Sequence, residues 1–315
     1  MDKNNLRAIN QDLVKYYEIN VSDIINLTPK AFRIFDKDGK SYFMKKTNLN
    51  TLEKYQFLHN QGINNILYPL PNHNNNFVTR NKTEAFYINE FFEQYTIIPE
   101  VKVQNIFNEL DYIHLNSSYK RQLNPQTSRP KFEEITNRLD YKFKLLENYV
   151  RSVESKPLNM YSMPVLANYQ YLLDAKKELV RLQKRIISSI KAHDSIEYSF
   201  IHNNPKLSHE LNIRGSHYLT SLDNGKIGVE SLDFAKLYLE NENINIDYKM
   251  IFYNHYHDLN PFYYDYMRYL ILVIYVSKLT LTNDEYVNSL EFVNICNSIK
   301  KYFSVFPDIQ DNTDE

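Results

Sequence analysis

The chain has 315 residues, with 37 lysines and arginines against 38 aspartates and glutamates, one cysteine, no tryptophan, 27 tyrosines and five glycines. A formal net charge of −1 excludes broad electrostatic nucleic-acid binding, which needs clustered cations against phosphates. The single Cys296 excludes an intrachain disulfide framework and a thiolate zinc cluster. The opening MDKNNLRAINQ is polar, unlike a secretory leader. The longest apolar run, residues 269–276, falls far short of the roughly 20 residues of a membrane span. These features predict a cytoplasmic protein with no membrane span and no nucleic-acid partner. Its length suits two lobes, each with its own core.

Residues 1–17 carry Leu6, Ile9, Leu13, Tyr16 and Tyr17 at three- and four-residue spacing, which predicts a short amphipathic helix. Two strands, 31–35 and 41–47, flank Asp36-Lys37-Asp38-Gly39, a hairpin turn signal. A helix over 51–61 places Leu52, Tyr55 and Leu58 on one face and ends at Gly62. Strands follow at 76–80 and 84–91. After Pro99 the pattern turns helical, with Val103, Ile106, Leu110 and Ile113 in register over 101–115. Residues 124–130 read as a polar, proline-containing linker. Long amphipathic helices are predicted at 132–153 and 164–193, the second with an apolar stripe of Leu172, Leu173, Leu179, Val180, Ile186, Ile187 and Ile190. Short strands at 198–201, 218–222 and 226–229 precede helices at 233–239, 248–257, 261–279 and 283–303. The stretch DIQDNTDE is acidic, and its last residues, 311–315, are expected to fray. The predicted fold is therefore α+β and two-lobed: an antiparallel N-lobe with one helix over 1–95, and a larger helical C-lobe with short central strands over 96–310.

Two segments carry chemistry. The first, residues 200–210, reads F-I-H-N-N-P-K-L-S-H-E; the second, residues 219–235, reads L-T-S-L-D-N-G-K-I-G-V-E-S-L-D-F-A. The pair resembles the signature segments of the aminoglycoside/choline kinase-like phosphotransferases, H-x-D-x-x-x-x-N and I-D-W-[ED]-x-A-x-x-G-x-P-x-x-D-L-A. The spore-coat-associated branch of low-GC bacteria is the most similar. The resemblance implies a protein-kinase-like fold and places His202 at the family histidine, Gly228 at its glycine and Asp233 at its structural aspartate. It also places Asn204 where the catalytic aspartate stands, His209 where the metal-binding asparagine stands, and Ser221 where the metal-binding aspartate stands. Asp223 keeps the following acidic position. In the small lobe, Lys45 resembles the strand lysine that meets nucleotide phosphates, with Glu53 as its expected helix partner and Lys46 as the alternative lysine on the opposite strand face.

The altered letters imply a pseudokinase. An asparagine can hydrogen-bond an acceptor hydroxyl but cannot take its proton. Mg²⁺ prefers anionic oxygen ligands, and of the three positions only Asp223 offers one, so Mg²⁺ binding is doubtful and ATP remains the possible cofactor. No glycine precedes the first hairpin, where a phosphate-covering loop belongs; residues 26–31 read N-L-T-P-K-A, and Pro29 has no N–H to offer. The expected partner is an unidentified protein or small molecule in the interlobe cleft. The alternative is an active ATP-dependent phosphotransferase to an alcohol group, with a rearranged metal site using Asp223 and Glu230. Plainer roles stay open: Lys45 as an exposed strand lysine, Glu53 as a solvated helix residue, His202 as a structural histidine, Asp223 as a turn residue before Asn224-Gly225, and Asp233 as a helix N-cap. His255 and His257 with Asp258 form no metal set, because an H-x-H pair on a helix points two ways. The basic residues of 176–191 read as a solvated face.

Overall fold

The computed structural model describes residues 3–81, 84–94, 96–122, 125–193 and 195–307, and the side chains of 3–8 and 125–132 are left aside. In chain order the elements are α1 (Lys3–Tyr17), β1 (Val21–Asn26), β2 (Ala31–Asp36), β3 (Ser41–Thr47), α2 (Asn50–Asn60), β4 (Thr79–Arg80), β5 (Ala85–Glu90), α3 (Pro99–Ser117) and β6 (Tyr119–Gln122). Then come α4 (Pro125–Glu154), α5 (Ser162–Ala192), β7 (Ser195–Ile201), β8 (Glu210–Ile213), β9 (Ser216–Leu219), β10 (Lys226–Gly228), α6 (Ser231–Asn241), α7 (Tyr248–Tyr256), α8 (Pro261–Lys278) and α9 (Glu285–Val305). This is an α+β protein with a sheet in its N-terminal region and a mostly helical remainder. It divides into two compact units: residues up to Ser118 with Ser199–Gly228, and Tyr119–Tyr198 with the residues from Val229 onward.

In the first unit five strands pair antiparallel in the order β1-β2-β3-β5-β4. The β2–β3 hairpin forms at the predicted turn. Gly39 adopts φ +83°, and Asp36 Oδ1 accepts from the amides of Asp38 at 2.9 Å and Lys40 at 2.8 Å. That side chain satisfies two donors that the tight turn would otherwise orphan. Strand alternation sends Phe32, Ile34, Met44, Phe86 and Ile88 to one face, where they bury against Ile9 and Leu13 of α1. α3 buries Val103, Ile106, Leu110 and Ile113, as its spacing predicts. A polar cluster surrounds the fully buried Glu210: His217 Nδ1 lies 2.6 Å from Oε1, and Lys102 Nζ 3.6 Å from Oε2. A carboxylate at that depth needs such partners to remain tolerable.

The second unit is a helical assembly in which α5 packs on α8 and α9. The α5 stripe buries Leu172, Leu179 and Ile186, while Val180 and Ile187 are exposed. Much of the basic face of α5 is tied into ion pairs: Lys176 with Glu147, Lys177 with Asp174, Arg181 with Glu178 and Arg185 with Asp265.

Several expectations are corrected. The predicted linker over 124–130 is helical over its described residues, 125–130, which begin α4 at Pro125, while residue 124 lies outside the described residues; proline suits the first helical position because no intrahelical bond is lost there. β1, β6 and β8 were not expected. β6 is exposed at all four positions, and β1 lacks a period-2 pattern, so neither shows an alternating signal. The tail at 311–315 lies outside the described residues. No helix among the described residues is long and apolar enough to cross a membrane.

Candidate functional site

β3 places Lys45 opposite Ala31 of β2 and Tyr87 of β5, with its side chain directed at the segment that follows β9. Its Nζ donates to Asp223 Oδ2 at 2.6 Å and to Ser221 Oγ at 3.1 Å. Asp223 is held by two further groups, one of them backed by a third. Thr47 Oγ1 donates to Asp223 Oδ1, Thr51 lies 2.8 Å behind Thr47, and Lys54 Nζ donates to the Asp223 carbonyl. The pair is about four-fifths buried on both sides, with 20% and 18% of the side chains exposed. Lys54 is pushed below the ordinary lysine range by burial, partly offset by Asp223.

Glu53 does not meet Lys45. It is exposed, while Lys45 pairs with Asp223 instead. The reason is a rotation of the buried face of α2 by one residue. Thr51, Tyr55 and Leu58 face inward rather than Leu52, Tyr55 and Leu58, which carries Lys54 toward Asp223 and Glu53 away. Lys54 and Thr47 are the site residues that the sequence reading missed. Their only signal is the i, i+4, i+7 set Thr51, Tyr55 and Leu58. Lys46, the alternative lysine, pairs with Glu84 at 2.7 Å.

Ser221 sits in the left-handed region (φ 64°, ψ 48°), just before a short 3₁₀ turn, Leu222–Asn224. Asp223 is thus both the turn residue that the sequence allowed and the partner of Lys45. Asn203 is also left-handed at φ 62°, and its Nδ2 donates to the Asn224 carbonyl at 3.1 Å. The two signature segments are further joined by His202, which is 1% exposed and whose Nε2 donates to the Thr220 carbonyl at 2.8 Å. Two glycines permit close approach. A Cβ on Gly228 would stand 2.6 Å from Ile201 Cδ1, and one on Gly225 would stand 2.4 Å from Phe200 Cζ. Both residues belong to the short pairing of β10 with β7 or its lead-in.

His209 stacks on His202 with ring centroids 5.3 Å apart. Its Nδ1 lies 2.9 Å from the Asn204 carbonyl, so Nδ1 carries the proton and Nε2 keeps its lone pair. Burial above all, then His202 and Lys45, pushes His209 down to about 3, so its ring is neutral near pH 7.

In the second unit, Asp233 is fully buried in the first turn of α6, three residues after Glu230, which occupies the N-cap position; Asp233 is therefore not the cap. Glu230 lies 3.5 Å from His255, whereas His257 faces Asp258 at 2.9 Å. Among the described residues no group of three or more histidine, cysteine or carboxylate side chains is placed to hold a metal ion.

Two cavities flank the Lys45–Asp223 pair. One, of about 200 Å³, is lined by Leu27, Phe43, Leu67, Tyr87, Phe92 and Leu211, with Ser221 at its polar edge. The other, of about 710 Å³, is lined by Lys30, Lys45, Lys46 and Arg80 with Glu84 and Asp223. The turn above them has no free amide. Leu27 and Thr28 donate to the Ala31 carbonyl, and Lys30 and Ala31 donate to Thr28 Oγ1.

Replacing Asp223 by alanine removes the acceptor of Lys45 and Thr47. We expect about 1–3 kcal/mol of destabilisation in urea, reflecting charge-assisted bonds left unmade in a part-buried setting. A change within 0.3 kcal/mol would show that the pair contributes nothing to the fold.

No protein-family model matches the chain, and no curated protein matches it. Solved structures do. An aminoglycoside phosphotransferase from Alicyclobacillus acidocaldarius superposes with a TM-score of 0.63 at 13% identity, covering 96% of this chain and 95% of that one. Choline kinase LicA from Streptococcus pneumoniae gives a TM-score of 0.51 at 15% identity, covering 94% and 100%. The amicoumacin kinase hAmiN, solved with AMP-PNP and Ca²⁺, gives a TM-score of 0.52 at 14% identity, covering 99% and 100%. At these identities the likeness concerns the backbone, and it runs nearly end to end: this chain has the protein-kinase-like fold of the aminoglycoside phosphotransferases and choline kinases.

Proposed function

We propose that this chain is a pseudokinase, a kinase-fold protein that binds a nucleoside-type ligand and does not transfer phosphate. The observation that carries the reading is the state of Asp223, whose two carboxylate oxygens are taken by Lys45 and Thr47. Phosphoryl transfer needs a residue that orients the acceptor and divalent ions held against the phosphates. Asn204 cannot take a proton, and Ser221 and the neutral His209 offer no anionic oxygen. A Mg²⁺ ion drawn to Asp223 would share that carboxylate with the Lys45 ammonium and would find no second anionic oxygen at Ser221 or His209, so this donor set does not fit the ion.

Ligand binding is supported by the apolar cavity. Its aromatic and leucine lining suits a flat ring, and Ser221 with Thr220 gives it a polar edge. The similar amicoumacin kinase is solved with a nucleotide analogue. The test is Mg²⁺-dependent ATP consumption with a panel of small alcohols and amines, beside a thermal shift with adenosine. Consumption is expected at the background rate, with a positive adenosine shift. Turnover that disappears in Asp223→Ala would overturn the loss of transfer, and absence of any adenosine shift would overturn the ligand.

A further inference from the structure

The β8–β9 hairpin has two unlike faces. Leu211 lines the apolar cavity, and Thr220 and Ser221, which follow the hairpin, continue the same lining. Strand alternation sends Glu210 the other way, toward α3, where it is fully buried. His217, paired with Asn212 across the hairpin, donates from Nδ1 to Glu210 Oε1 at 2.6 Å, and its side chain is 27% exposed. Lys102 of α3 stands 3.6 Å from Glu210 Oε2, which accepts no hydrogen bond among the described residues, and its Nζ donates to the Leu207 carbonyl at 3.4 Å. Two turns along α3, Glu109 accepts from Asn65 Nδ2 at 2.6 Å, and the Asn65 carbonyl accepts from the Leu219 amide of β9 at 2.9 Å. Burial above all pushes the Glu109 carboxyl up; Asn65 and His217 pull it back, and Glu210 pushes it further. Arg214, the other charged residue of the hairpin, is exposed at its turn.

We propose that the Glu210–His217 pair is a proton-operated clamp, which holds the β8–β9 hairpin against α3 and so regulates the nucleoside cavity on the hairpin's other face. With His217 protonated, two cations, Lys102 and His217, face two carboxylates, Glu210 and Glu109. With His217 neutral, Lys102 alone faces both, and the fully buried Glu210 loses a charge-assisted bond for an ordinary one. The clamp is therefore closed with the proton bound and loosens as the pH rises. Loosening frees the strand that carries Leu211 and the segment that carries Thr220, whose amide bonds the His209 carbonyl at 2.9 Å. Glu210 and His217 do not line the cavity; they are positioning residues that act through the hairpin. Linkage makes the effect reciprocal: a ligand that prefers the clamped hairpin strengthens proton binding by the same factor. The ligand in this proposal rests on the nucleoside reading; the clamp itself does not.

Isothermal titration of the full chain with adenosine, at about pH 5.5 and about pH 8.5, spans the range in which histidine ordinarily changes charge. His209 stays neutral across it, and adenosine takes up no proton there. The parent should bind roughly fivefold or more weakly at the higher pH. Between the two values its binding heat should depend on the ionisation enthalpy of the buffer, the mark of proton uptake. His217→Lys, charged throughout, should keep tight binding at the higher pH. His217→Gln, uncharged throughout, should bind weakly at both, and neither variant should take up protons. Equal parent affinity at the two pH values, or a pH dependence that persists in both variants, would overturn the proposal. Hydrogen exchange of residues 210–219 in the ligand-free chain is the independent readout. At the higher pH this segment should exchange faster in the parent than in His217→Lys, a comparison at one pH that cancels the intrinsic effect of hydroxide. Equal exchange in the two would overturn the clamp. If adenosine binds at neither pH, the nucleoside reading falls, and the exchange comparison still decides the clamp.

Discussion

Arg268→Ala is expected to lower stability by about 3–5 kcal/mol, the cost of leaving buried charge without its partner. Arg268 lies on α8 and is 2% exposed. Its Nη2 donates to Glu178 Oε1 of α5 at 2.6 Å, its Nε to the Tyr302 hydroxyl of α9 at 3.3 Å, and its Nη1 lies 3.7 Å from Asp265 Oδ1. The guanidinium also stands over the Tyr264 ring, 5.3 Å from its centroid. One planar fork therefore joins three helices of the second unit, α5, α8 and α9, and alanine would leave a cavity as well as less counter-charge beside the buried Glu178 and Asp265. Arg185 and Arg181 still pair with those carboxylates, which keeps the loss below that of an isolated buried anion. Urea denaturation at constant m-value measures it; a loss under about 1 kcal/mol would mean that the network is replaceable by solvent.

The second large effect is acid sensitivity centred on His209. Its ring titrates at about 3 in the folded chain, against an ordinary histidine value of 6.5. The unfolded chain therefore binds a proton that the folded chain refuses between those values. Stability is fully present above pH 6.5 and falls as the pH drops toward 3, by up to about 5 kcal/mol if the whole difference is realised. The cause is first burial, then the neighbouring His202 and the Lys45 ammonium. In His209→Gln, a neutral side chain that can still donate to the Asn204 carbonyl, the slope of stability against pH over this window should flatten. An unchanged slope would show that His209 does not set the acid transition.

Much of the architecture was legible in the residues themselves. Asp36-Lys37-Asp38-Gly39 marks the first hairpin because a short acidic side chain and a glycine at positive φ make a tight turn without orphaned amides. Helices α3, α5 and α8 follow from apolar spacing that no strand could bury on one face. The exposed strand β6 was not legible, since its four residues are chosen by no core. The start of α4 was hidden by Pro125 and Pro130, which suggest a break when helix context is unknown.

The site divides in the same way. Local sequence sets His202, Asn204, His209, Ser221, Asp223 and Gly228 in two short segments, and the bonds of His202 to the Thr220 carbonyl and of Asn203 to the Asn224 carbonyl join those segments in the fold. Which lysines and acids meet was decided only in three dimensions. Residue types cannot fix the rotation of α2 about its axis; that depends on how Thr51, Tyr55 and Leu58 pack, and one step of it exchanges Glu53 for Lys54 beside Asp223. The same holds for the larger cavity, whose members Lys30, Lys46 and Arg80 are separated along the chain and line one volume only once the sheet has brought the β1–β2 turn, β3 and β4 together.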